Sequence, residues 1–189
     1  MSKENFDTET PTEKKVDDLY KLIEGIETAM LTTRRSDGRL VSRPMATQKR
    51  QPGADLWFVT DIESGKIDEL MFDSNVCVSY YNVKSWEWVS VSGTITVSTD
   101  RELIHELYEP DWKAWFGDEG GSRDGGPDDP RFALLLVDAT SVIYGKRNKP
   151  KPLALFEVVK GLVTGKEPDV SDVRRVTPRE LAESPPPTE

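Results

Sequence analysis

The chain has 189 residues, 36% hydrophobic and 31% charged, with 25 Lys and Arg against 34 Asp and Glu and a formal net charge of −9. This is enough apolar material for one core, and the acidic balance opposes nucleic-acid phosphate. The longest apolar run, Phe132 to Val137, falls far short of the roughly 20 residues of a membrane helix, so no membrane association is expected. The single cysteine, Cys77, and single histidine, His105, leave no disulfide framework and no multi-Cys or multi-His metal site. The polar segment Met1 to Lys15 lacks the apolar stretch of a secretory signal, so a reducing cytoplasm is the expected compartment.

Val16, Leu19, Tyr20 and Ile23 have helical spacing, with Gly25 as the expected C-cap. Ala29–Arg34 and Leu40–Gln48 flank Ser36-Asp37-Gly38, a hairpin signal. After the Pro52-Gly53 turn, Leu56–Thr60 reads as a short buried strand. Ser64 is placed to cap a helix carrying Ile67, Leu70 and Met71. Val76–Tyr81 is a further strand. In Trp86–Thr99, Val89, Val91, Gly93, Ile95 and Val97 alternate with polar residues, a strand whose Gly93 suits a bend or bulge.

Thr99-Asp100-Arg101-Glu102 reads as a capping box for a helix with Leu103, Ile104 and Leu107. A Gly- and Asp-rich loop spans Gly117 to Pro130. Phe132–Asp138 and Ser141–Lys146 are the last two strands, and Leu153–Val163 a final helix. Residues 1–13 and 164–189, the latter with Pro185-Pro186-Pro187, read as flexible tails, the second proline-rich and acidic. Seven strands with mostly short connections imply an antiparallel, mainly β (α+β) fold. A small barrel with peripheral helices fits better than a Rossmann alternation. The folded domain is residues 14–163.

Most familiar chemical motifs fail. Gly161–Glu167 has the wrong glycine spacing for a P-loop and no hydroxyl after Lys166. Asp118, Glu119 and Asp124 lack EF-hand spacing. His105 reads as a solvated helix residue and Cys77 as a buried thiol. Two segments remain: Leu40–Thr47, with Arg43, and Leu56–Lys66, with Ser64 and Lys66. Each sets a cation at or just after a strand. A guanidinium fork, an ammonium and a hydroxyl at a helix N-terminus form a set suited to a phosphate monoester. Taken alone, each cation reads as surface charge, and spacing by itself does not promote either.

The order of these segments resembles the FMN-binding split-barrel superfamily, the pyridoxamine 5′-phosphate oxidase-like proteins, and within it the bacterial general stress proteins. The matching pieces are Ser42-Arg-Pro-Met45, Leu56-Trp-Phe-Val-Thr-Asp61 with Ser64-x-Lys66, Asn75–Tyr80, Val89–Thr94 with Asp100, Trp112, Trp115-Phe116, Asp129-Pro130 and Leu134–Asp138. The match spans about residues 14 to 165. It implies an FMN-binding split β-barrel, antiparallel with peripheral helices, that forms a homodimer with flavin at the interface.

By position, Arg43, Ser64 and Lys66, with Gly65 between the last two, would hold the FMN phosphate. Pro44 and Met45 would lie along the flavin, and Val59 and Thr60 at its ring edge. Trp112, Trp115 and Phe116 would close the cleft from the partner chain, with core packing as the competing reading of all three. The resemblance implies a flavin protein (FMN, or FAD) acting as redox carrier, flavin store or sensor. The alternative is a flavin-dependent oxidoreductase fed by a nicotinamide donor. Pyridoxamine phosphate oxidase proper ends in a segment with a Trp and an Arg-Leu-x-Pro motif. This chain has neither after Trp115, so vitamin B6 oxidation is not expected. No catalytic side chain and no metal ligand is assigned.

Overall fold

The computed structural model describes residues 6–165 and 170–184. Helix α1 (Thr12–Ile26) buries Val16, Leu19, Tyr20 and Ile23 on one face, as the spacing predicts. It runs through Gly25, and the residue that ends it is Glu27, at φ 64°. Strands β1 (Thr28–Arg34) and β2 (Leu40–Ala46) form the expected hairpin, in register from Thr28↔Ala46 to Arg34↔Leu40. Then follow β3 (Leu56–Asp61), α2 (Gly65–Phe72), β4 (Asn75–Tyr81), β5 (Trp88–Ser98) and α3 (Arg101–Leu107). One 3-10 turn at Pro110–Trp112 leads into the short α4 (Lys113–Phe116). The chain continues with β6 (Phe132–Arg147), α5 (Lys151–Thr164), β7 (Ser171–Val176) and α6 (Pro178–Ala182).

The sheet has the order β2-β1-β4-β5-β6-β3, with β7 also paired to β6. All strand pairs are antiparallel. β6 is long enough to hold two partners on one edge: β3 along Phe132–Val137 and β7 along Val142–Arg147. The sheet curls until the chain after β2 meets β3, where the Gln48 N–H donates to the Trp57 carbonyl at 3.2 Å. Among the described residues β2 and β3 share no ladder, and the fold is a split barrel.

The two strands expected at 132–138 and 141–146 are one continuous strand. Its phase slips once, where Ser92 pairs with Ser141 but Gly93 with Ala139, leaving Thr140 as the extra residue of a bulge. Val137 and Ala139 are buried before the slip and Val142 and Tyr144 after it, so a strict period of two breaks there and reads as a strand end. Gly93 is required at this point: a Cβ on it would lie 2.3 Å from the Asp138 carbonyl oxygen. Thr99 is also not the cap of α3; Asp100 is, accepting from the Glu102 and Leu103 amides.

The core lies in two parts. Leu31, Phe58, Val78, Val91, Val137 and Tyr144, with α1, fill the barrel. Trp57, Ile104, Trp112, Phe132 and Leu134 form a second cluster. Successive residues of a strand face opposite ways, so Trp57 and Phe58 on β3 serve different clusters.

The expected C-terminal tail is folded over much of its length. β7 and α6 bury Val176 and Leu181, and a full capping box joins Thr177 and Glu180. Arg174 turns inward from β7 and donates to Asp18 of α1 at 2.6 Å and to Asp7 at 2.8 Å. Asp7 also donates its amide to the Val173 carbonyl, so the N-terminal segment is tied in with it. Charge density suggested mobility, but these charges face one another rather than solvent. Pro185-Pro186-Pro187 lies outside the described residues.

Candidate functional site

A cleft of about 360 Å³ opens where the barrel is split, within the size range of small-molecule sites. One wall is the end of β3, Val59, Thr60 and Asp61, with Lys66 from the first turn of α2. The second is Pro44, Met45 and Ala46 of β2 with Thr28 of β1. The third is Asp111, Trp112, Trp115 and Phe116, and Gln48 also contributes. The surface is mostly apolar, with one cation at one end.

That cation is placed by short-range geometry. β3 ends at Asp61, and Ser64 sits at the N-cap of α2 without capping a backbone amide. Its hydroxyl instead accepts from Lys66 Nζ at 2.9 Å, and Thr60 Oγ1 accepts from the same ammonium at 2.7 Å. No described carboxylate pairs with Lys66. Burial lowers its pKa from the ordinary lysine value, and the nearby Arg43 charge lowers it further. The Asp61 and Glu69 charges act the other way, but a half-buried ammonium whose hydrogen bonds go to hydroxyls gains more from an anion than a solvated one does. The Ile67 amide of α2 donates to the Ser64 carbonyl at 2.9 Å, while those of Gly65 and Lys66 precede any intrahelical acceptor and favour negative charge at the same place.

Arg43 points to this end but is engaged. Its Nη1 donates to Thr33 Oγ1 and its Nη2 to Glu69 Oε2, each at 2.5 Å. It does not line the cleft. Burial acts to raise the Glu69 pKa, but the hydrogen bonds from Thr33 and Arg43 outweigh it and hold the carboxyl below the usual value. Arg43 therefore reaches the site through its field on Lys66.

The aromatic wall divides. Trp112 is buried and packs edge-on against Trp57, Tyr108 and Phe132, with ring centroids 6.1, 5.5 and 5.5 Å away. Its Nε1 donates to Gln48 Oε1 at 3.1 Å, so core packing is its main role. Trp115 is 82% exposed yet lines the cleft, which packing does not explain. All three aromatics line the cleft of their own chain.

The Gly117–Pro130 loop is fixed to this wall by Arg131. Arg131 is 2% exposed. It donates to the carbonyls of Phe116 and Gly117, at 2.7 and 2.9 Å, and to Arg123's carbonyl at 3.2 Å. Asp129 faces it at 2.7 Å and also accepts from the Gly125 amide. The Arg131 guanidinium holds the Asp129 carboxyl well below the usual carboxylate range.

Residues 14–169 match the family described as "Pyridoxamine 5'-phosphate oxidase like". The chain belongs to this family. Protein bli-3 of Neurospora crassa is 39% identical over 180 residues, covering 94% of this chain and 86% of that protein. Among solved structures, a protein of Jannaschia sp. CCS1 classed with general stress protein 26 superposes with a TM-score of 0.63 at 25% identity, covering 87% of this chain and 98% of its own. A general stress FMN/FAD binding protein of Xanthomonas citri gives 0.54 at 28% identity, covering 67% and 84%. No helix among the described residues is long and apolar enough to cross a membrane.

Of the residues that the pyridoxamine 5′-phosphate oxidase-like pattern marks, Pro44, Met45, Val59, Thr60, Lys66, Trp112, Trp115 and Phe116 line the cleft. Ser64 stands behind Lys66, with Gly65 between them, and Arg43 lies outside. Thr28, Ala46, Gln48, Asp61 and Asp111 also line it and were not marked. For Ala46 a signal existed: it continues the period of two from Pro44 along β2.

Proposed function

We propose that this chain is an FMN-binding, homodimeric member of its family that works as a redox carrier, flavin store or sensor. The observation that carries this is Lys66, a half-buried ammonium with hydroxyl partners only, at one end of a flat apolar cleft. Lys66, Ser64, Thr60 and the start of α2 hold the phosphate, and Arg43 adds positive field behind them. Pro44, Met45 and Val59 offer the flat walls a ring needs, and Trp115 closes the open side. A bound flavin supplies the electron-transfer chemistry, while the protein contributes binding, orientation and field.

FMN is favoured over FAD by charge. An adjoining chamber of about 450 Å³ shares Thr28, Ala46, Gln48 and Asp111 with the cleft. It also presents Glu27, Glu106 and Glu109 with Lys49 as its cation, a set that repels a pyrophosphate. A second reading is an oxidoreductase in which a nicotinamide donor reduces the bound flavin from the open side of the cleft. Donor-dependent reduction of bound flavin distinguishes the two readings.

Titrating purified protein with FMN and FAD, followed by flavin fluorescence and visible absorbance, tests the first reading. Saturation at one FMN per chain, tighter than FAD, is expected. No FMN binding at about tens of micromolar would overturn it.

A further inference from the structure

Helix α5 is the least explained element of the fold. Of its 14 residues, Lys151–Thr164, only Lys151, Glu157 and Lys160 are charged. Among its described side chains Ala154 is buried, while Leu153, Leu155, Phe156, Val159 and Leu162 are each more than half exposed. It packs extensively on no other described element. A helix apolar on so many sides belongs inside something. β6 and β7 pair up to Arg147↔Ser171, near its base, and Gly165 ends it in the left-handed conformation at φ 66°.

A second anomaly lies on the outward face of the sheet. Cross-strand register forms two rows there, Pro44–Met30–Ser79–Ser90 and Ser42–Thr32–Cys77–Ser92. Their strand neighbours Leu31, Val78, Val89 and Val91 are the buried ones. None of these eight outward residues is charged, although 31% of the chain is. A solvated antiparallel face is normally polar and charged, whereas a face that meets another sheet is small and neutral.

The two features meet at one end of the sheet. Thr28 pairs with Ala46 there, and the Tyr81↔Trp88 and Trp88↔Gly145 pairs mark the same end on β4, β5 and β6. Thr28, Pro44 and Ala46 rim the cleft on the β2 side. α5 leaves from the β6 side. In the run β2-β1-β4-β5-β6, β4 is the middle strand. A two-fold axis along β4, relating two facing copies, keeps like ends together and sets β6 of one copy opposite β2 of the other. Packed sheets lie about 10 Å apart, and α5 is about 21 Å long, so the reach is sufficient.

We propose that α5 is an exchanged arm: in a two-fold dimer formed across the outward face of β1, β2, β4 and β5, each α5 packs on the rim of the other copy's cleft, at Thr28, Pro44 and Ala46. This rests on the dimeric reading above and adds which element makes the contact and where it lands. The contact closes on itself, as an isologous interface must. Burying the five exposed side chains of each arm against as much partner surface removes about 2,000 Å², the scale of a stable interface. A net charge of −9 and the lack of a basic face on α5 argue against an anionic lipid surface as the occupant.

The test uses the full chain in four forms. Sedimentation velocity compares wild type, Ser90→Arg, and Phe156→Glu with Leu162→Glu. Both sets of changes are expected to weaken the dimer about tenfold or more. The α5 residues are exposed, so circular dichroism and melting of that variant should match wild type. The fourth form combines Ala46→Cys and Phe156→Cys in a Cys77→Ser background. Mild oxidation should yield a covalent dimer that neither single cysteine gives. If wild type stays monomeric at about 100 μM, the dimer reading falls and the arm with it. If wild type is dimeric but the α5 variant dimerises as tightly, or the cysteine pair does not cross-link, the arm alone falls. Binding of wild type, but not the α5 variant, to phosphatidylcholine–phosphatidylglycerol vesicles would also overturn it.

Discussion

Arg43 and Glu69 share a 2.5 Å hydrogen-bonded ion pair beside Lys66, so one of the two cations at the phosphate end is half neutralised by a neighbour. Phosphate and Glu69 compete for the same positive field. Glu69→Gln removes the competing charge and is expected to tighten FMN severalfold at low salt, leaving riboflavin unaffected. Parallel titrations of both ligands check this. Weaker FMN binding in that variant would mean that Glu69 serves chiefly to aim Arg43.

Trp115 is exposed, so its removal should leave folding stability within about 0.5 kcal/mol of wild type. Its ring is placed to cover a flat ligand, and Trp115→Ala is expected to weaken FMN and riboflavin alike, by roughly tenfold, or about 1.4 kcal/mol. Thermal melts without ligand and titrations of both flavins separate these effects.

Gly93→Ala places a methyl group against the Asp138 carbonyl at the β5–β6 bulge. Neither backbone can yield without moving a long strand pair. Urea unfolding should show a loss of about 1–3 kcal/mol. A neutral result would show that the bulge relaxes freely.

Much of this fold is written in local patterns. The period of two in Val89–Val97 and the helical spacing of Val16–Ile23 come from burial on one face, which each element states by itself. What stayed hidden depends on partners distant in sequence. Arg174 and Asp18 look like surface charge until β7 lies against β6, although the Thr177-x-x-Glu180 capping signal was present in the sequence. Thr140 breaks an alternation that only pairing with Gly93 restores. Trp112 and Trp115 are alike as letters. The helices that carry them decide which is core and which is cleft wall. Lys66 was legible because its partners, Thr60 and Ser64, lie within six residues.

The Asp18 cluster sets an acid limit. Burial acts to raise the Asp18 pKa, but hydrogen bonds from Lys146, Lys14 and Arg174 outweigh it, and the carboxyl titrates below its ordinary value. Asp7 is likewise lowered, first by its hydrogen bond from Thr10. A carboxylate depressed in the folded state stabilises above its unfolded pKa, about 3.9, and loses that contribution as pH falls through the folded value. Stability should be flat from neutrality to about pH 5 and fall below about pH 4. Asp18→Asn should lower stability at neutral pH by about 3 kcal/mol, because it leaves Arg174 and Lys146 facing an uncharged group. It should also flatten the acid slope. Denaturant melts across pH, wild type against variant, test both points.

The most direct measurement compares FMN with riboflavin, which lacks the phosphate, on wild type and Lys66→Ala. If Lys66 is the phosphate anchor, wild type binds FMN much more tightly than riboflavin. The substitution should then cost FMN about a hundredfold, or about 2.7 kcal/mol, and leave riboflavin nearly unchanged. Equal losses for the two ligands, or no preference for FMN in wild type, would contradict the account of this cleft.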